Sequence, residues 1–101
     1  AGVGELKYPL LSDLNKTIST DYGVLDDAGV ALRGVFVIDP QGVVQSAMIN
    51  NLPVGRNVDE VLRTLKASQF VAENGVTCPA NWHPGDKGMP ATLEGVKRVI
   101  G

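Results

Sequence analysis

The chain has 101 residues and a mass of 10.6 kDa, enough for one small domain and too little for two. Its composition, 44% hydrophobic and 20% charged with 12 Gly and 6 Pro, is that of a globular protein and excludes the disordered and collagen-like classes. With 9 basic against 11 acidic residues the net charge is only -2, and the basic residues are scattered, so no electrostatic footprint for nucleic acid appears.

The longest apolar run, Val35 to Ile38, is far too short to cross a bilayer, and no charged-then-apolar leader opens the sequence, so no membrane partner is expected. One cysteine, Cys78, can neither close an internal disulfide nor furnish a Cys-rich metal site. Any disulfide must therefore reach another molecule, and a reducing, cytoplasmic compartment is expected.

In chain order, Tyr8 to Leu11 is a short apolar stretch compatible with a strand end. Ser12 reads as the N-cap of a helix of about three turns, with Asp13 in its first turn, Leu14, Ile18 and Tyr22 on one face and Gly23 as its stop. Gly34 to Asp39 carries four consecutive β-branched or aromatic residues and reads as a buried strand. Asp39-Pro40-Gln41-Gly42 is turn chemistry, and Val43 to Asn50 returns as the second strand of a hairpin. Asn57 caps the next helix, with Glu60 at capping-box spacing, Val58, Val61, Leu62 and Leu65 on one face, and Asn74-Gly75 at its end. From residue 76 the chain is rich in Pro and Gly, which predicts a loop-rich, mobile arm with a short helix from Thr92 onward. The expected division is thus 1-75, an α/β unit, and 76-101, the arm.

A strand that is apolar at every position is normally covered on both faces and paired on both edges, yet the hairpin supplies one partner only. A two-stranded hairpin with helices is also a poor independent fold. The sequence therefore predicts that the chain is part of a larger sheet.

Cys78 lies in Val76-Thr77-Cys78-Pro79, beyond the helix stop, where the proline favours an extended backbone. It is at no helix N-terminus and its only sequence neighbour able to carry positive charge is His83, so nothing there makes it a low-pKa thiolate. Such a thiol suits a second redox step, condensation with an already oxidised sulfur, better than first attack on a peroxide. An incidental buried cysteine is the alternative. Arg33, directly before the strand, is either an anion clamp or an exposed junction residue; Arg56, before the capped helix, either pairs with Asp59 or organises the same pocket. His83 has no second ligand at metal spacing, and Trp82 reads as the residue that anchors the arm by burying its ring. No phosphate loop, paired-carboxylate constellation or nucleophile elbow occurs, and neither a metal nor a cofactor is expected.

The ordered series Tyr8-Pro9-Leu10-Leu11-Ser12-Asp13, Asp21-Tyr22-Gly23-Val24-Leu25, Leu32-Arg33-Gly34-Val35-Phe36-Val37-Ile38-Asp39, Asn50-Asn51-Leu52-Pro53-Val54-Gly55-Arg56-Asn57-Val58-Asp59-Glu60 and Cys78-Pro79-Ala80-Asn81-Trp82 resembles the C-terminal half of a typical two-cysteine peroxiredoxin. Ala1-Gly2-Val3-Gly4 only approximates that family's Gly-Gly-Leu-Gly loop. The resemblance implies the C-terminal part of a thioredoxin-like fold, a β-hairpin with packing helices and a loop-rich C-terminal arm, with the peroxide-attacking cysteine upstream of the residues in hand. It implies that Cys78 is the resolving cysteine, forming an intersubunit disulfide with a second copy of the protein. Arg33 would stabilise the thiolate and hold the peroxide, with Arg56 in support. A hydroperoxide substrate and a thioredoxin-like or flavin-linked disulfide reductase are the implied partners. The competing expectation is a non-catalytic thioredoxin-like module used for protein association.

Overall fold

A computed structural model describes residues 6–90. The helix expected from Thr92 onward and the Gly2-Val3-Gly4 segment lie outside the described residues. Four elements follow in order: α1 (Thr17–Asp21), β1 (Arg33–Ile38), β2 (Val44–Asn50) and α2 (Val58–Asn74). The two strands form an antiparallel pair in which Arg33 faces Asn50, Val35 faces Met48 and Val37 faces Ser46.

The hairpin forms as its sequence predicts, with strand ends moved by one residue. Asp39 leaves the ladder because its carboxylate is the centre of the turn: Oδ1 accepts from Gln41 N and Val43 N, each at 2.9 Å, and Oδ2 accepts from Gln45 Nε2 at 2.9 Å. Gly42 completes the reversal at φ 82°, a conformation that favours glycine. The register then slips between Val37 and Ile38, leaving Gln45 as the extra residue of a bulge that strengthens the local twist.

Side chains on β1 alternate between two environments, as the strand period requires. Val35 and Val37 face α2, sharing hollows with Val61 and Leu65 respectively, and Val37 is buried. Phe36 faces the other way and meets Tyr22 edge-on at 4.8 Å, a pairing that adds about 0.5–1.5 kcal/mol beyond area burial. Gly34 lies on this second face too, where a Cβ would come within 3.2 Å of Val24 Cγ1.

Two expectations for the start of the chain are corrected. The first helix is five residues long, not about three turns, because Lys16 takes the N-cap position and Asp13, not Ser12, accepts its first amides. Asp13 Oδ1 accepts from Ile18 N at 3.0 Å and its Oδ2 accepts from Ser19 N at 2.9 Å and Ser19 Oγ at 2.6 Å. That bonding spans a turn closed by Lys16 N to Asp13 O at 2.9 Å, with Lys16 left-handed at φ 60°, so helical geometry starts only beyond it. Tyr8 to Leu11 forms no strand: among the described residues nothing pairs with it, and Leu10 and Leu11 are exposed.

α2 matches its expected ends. Asn57 accepts from Glu60 N at 3.1 Å, and Gly75 closes the helix left-handed at φ 62°, donating to Val71 O. Only half of the capping box forms, because the Glu60 carboxylate turns to Arg63 instead of to the Asn57 amide. Beyond Gly75 the expected mobile arm is, over residues 76–90, a folded loop. Thr77 and Met89 exchange two backbone hydrogen bonds of 2.8 Å at its neck, and Trp82, 2% exposed, stacks on Phe70 at 5.1 Å. The anchoring role expected of Trp82 is what the structure shows.

The described core is thin. Val24, Val37 and Trp82 are its buried apolar residues, while Ile38, Ile49, Val58 and Leu62 are exposed. β1 has one unpaired edge among the described residues, as the sequence argument for a missing neighbour requires.

Candidate functional site

Two separate places carry the residues singled out in the sequence. The first is the open end of the hairpin. Arg33 opens β1 opposite Asn50, and the 51–57 connection folds back over it through Val54 N to Asn51 O at 2.9 Å and Asn50 Nδ2 to Gly55 O at 3.1 Å. This return brings Arg56 beside Arg33. Arg33 Nε donates to Leu52 O at 3.1 Å, and Arg56 donates from Nε and Nη2 to Gly34 O, each at 3.4 Å. Both guanidinium groups line a cleft of about 180 Å³ with Val35, Met48, Asn50, Asn57 and Val61.

No carboxylate lines that cleft. The ion pair expected as one alternative for Arg56, with Asp59, does not form; among the described residues the one ion pair is Arg63–Glu60. Two exposed arginines, each fixed to a backbone carbonyl and facing one small space, can receive an anion or favour a neighbouring thiolate. Two larger hollows, of about 410 and 440 Å³, flank the sheet, the first lined mainly by apolar side chains and the second by apolar and polar ones alike.

The second place is the loop that follows α2. Cys78 is half-buried, its Sγ directed at Ala67 O across a long 3.8 Å contact. Ala67 is six residues beyond Val61, or about 9 Å along the helix axis, so thiol and arginine cleft occupy different stations on α2. Burial pushes the Cys78 thiol up from its ordinary value, and the positive charge of Arg63 works against that rise. Arg63 was not legible from its sequence position, fifteen residues before Cys78. The one signal was its i,i+4 relation to Ala67 on the same helix face, which gains meaning only once the loop is known to dock there. His83, the cation nearest in sequence, instead builds the loop: Nδ1 lies 2.7 Å from Asn81 O, and its amide donates to Asp86 Oδ2 at 2.9 Å. Among the described residues no three His, Cys, Asp or Glu side chains converge as metal ligands would.

Two family models match the chain: AhpC/TSA family over residues 3–47, and C-terminal domain of 1-Cys peroxiredoxin over residues 67–101. A thioredoxin-dependent peroxide reductase, mitochondrial, from Drosophila melanogaster is 61% identical over 94 residues, covering 92% of this chain and 39% of that protein. The chain belongs to the peroxiredoxin family. A chloroplastic 2-Cys peroxiredoxin BAS1 from Hordeum vulgare is 55% identical over 100 residues, covering 98% of this chain and 48% of that protein. The crystal structure of reduced Plasmodium vivax 2-Cys peroxiredoxin superposes with a TM-score of 0.90 at 46% identity, over 98% of this chain and 51% of that one. The α/β arrangement of hairpin and helices is thus part of a peroxiredoxin's thioredoxin fold, and this peroxiredoxin chain spans about half the length, or less, of the relatives it matches.

The expected cytoplasmic location is overturned by the same comparison, since relatives this similar are named mitochondrial and chloroplastic. The reason is physical: one unpaired thiol excludes a disulfide scaffold but is compatible with many compartments.

Proposed function

We propose that this chain is part of a thiol-dependent peroxidase that reduces hydrogen peroxide and organic hydroperoxides, with residues 76-101 forming the arm that delivers Cys78 and residues 1-75 the unit it docks on. In the first step an attacking thiolate elsewhere in the protein takes the terminal oxygen of the peroxide, becoming a sulfenic acid as the O–O bond breaks and an alcohol or water leaves. Arg33 holds the peroxide oxygens and favours that thiolate, and Arg56 supports Arg33. In the second step the Cys78 sulfur attacks the sulfenic sulfur of a second subunit, an S–S bond replaces the S–O bond, and the hydroxyl leaves as water with the thiol proton. A thioredoxin-like or flavin-linked reductase returns the disulfide to two thiols.

The observation that carries this reading is the setting of Cys78, which is half-buried on α2, raised in pKa, and remote from the paired arginines. A protonated thiol of this kind is a weak first nucleophile, yet it can finish a cycle once another sulfur has been oxidised. In the full-length protein, Cys78→Ser should abolish the peroxide-dependent intersubunit disulfide on non-reducing gels and bring turnover coupled to a thioredoxin-type protein reductase close to background, while a dimedone-type trap still captures the sulfenic acid. A disulfide that survives the substitution refutes the assignment. The uncovered apolar sheet face supports the second reading, a non-catalytic association module, and under that reading Cys78→Ser leaves assembly unchanged.

A further inference from the structure

Arg63 engages three donors at once. Nε and Nη2 donate to Glu60 Oε2 and Oε1, each at 2.8 Å, and Nη1 donates to the Trp82 carbonyl at 2.9 Å. The two parallel bonds to Glu60 fix the guanidinium plane, so that the third donor is already aimed at the loop. Trp82 is the buried anchor of that loop, its Nε1 donating to Asp86 O at 3.1 Å, and the Thr77–Met89 pair closes the neck one residue from Cys78. Among the described residues, Arg63 is the α2 side chain that hydrogen-bonds the 77–89 loop; the other polar link between the two is the long Cys78 Sγ contact.

We propose that Arg63 is a positioning residue, the clasp that holds the 77–89 loop on α2 and so sets how often Cys78 is released to react. Its significance for turnover rests on Cys78 being the resolving thiol, but the clasp itself can be read without peroxide.

Three variants of the full-length protein test it: Arg63→Met, Arg63→Lys and Glu60→Gln. Alkylation of Cys78, resolved by peptide mass, and amide exchange at Thr77 and Met89 are followed in each. Loss of a partly exposed, charge-assisted hydrogen bond in Arg63→Met should speed both by about tenfold, with hairpin and mid-α2 amides unchanged. Lysine keeps the charge but lacks the fork, and should restore neither property. Glu60→Gln, which frees the guanidinium plane without removing the charge, should fall between wild type and Arg63→Met.

Wild-type rates of alkylation and exchange in a folded Arg63→Met would overturn the proposal, as would full rescue by lysine. If Arg63→Met does not fold, Glu60→Gln decides by the same two measurements. Faster release with unchanged intersubunit disulfide formation supports the clasp and counts instead against the resolving role of Cys78.

Discussion

Gly88 shows how closely the loop is fitted to α2. A Cβ there would stand 2.5 Å from Val76 Cγ2 and 3.0 Å from Phe70 Cε1, and neither a branched valine nor a packed aromatic ring yields easily. Gly88→Ala should lower stability by about 1–3 kcal/mol, the usual range for overpacking, as read from urea unfolding. Because Gly88 adjoins the Thr77–Met89 neck, the same variant should also expose Cys78 to labelling; an unchanged urea midpoint would show that the contact relaxes freely. At this scale the sequence was informative where one residue type has one main use. Trp82 buries its ring wherever the loop lies, and Arg33 sits at a strand end because the apolar run begins after it. The proximity of Arg63 to Cys78 was hidden because it depends on where a loop of irregular backbone docks, which no periodicity encodes.

The elements were legible in proportion to how local their determinants are. α2 has its stop and start written beside it, and Asn57→Ala should cost about 1 kcal/mol by leaving the Glu60 amide without its acceptor. Thermal or urea unfolding followed by far-UV circular dichroism would check this, and no change in midpoint would mean that solvent replaces the cap. The hairpin was legible for a similar reason, since turn residues and β-branched runs are adjacent in the chain. α1 was misread because Asp13 reaches amides five and six residues ahead, outside the two- or three-residue reach of an ordinary N-cap. Tyr8 to Leu11 was misread because an apolar run becomes a strand only when a neighbour accepts its backbone hydrogen bonds.

On the scale of the whole molecule, the described residues leave more apolar surface open than a monomer of this size normally carries. Phe36 and Val37 are sheltered by α1 and α2, but Ile38, Ile49 and Leu62 are not, and a net charge of -2 opposes association only weakly. The 101-residue chain prepared alone should therefore sediment above its 10.6 kDa monomer mass at micromolar concentration and bind a hydrophobic dye. A dye-silent species of 10.6 kDa would show that the open face is not adhesive. The need for further sheet was readable from the strand composition, because an all-apolar strand implies two covers and two neighbours whatever the tertiary details.

The arginine tethers have a consequence for motion. Arg33 and Arg56 are moored to Leu52 and Gly34, on the hairpin and its return, with no bond to the 77–89 loop. A thiol released from α2 would therefore leave the shape of the electropositive notch unaltered.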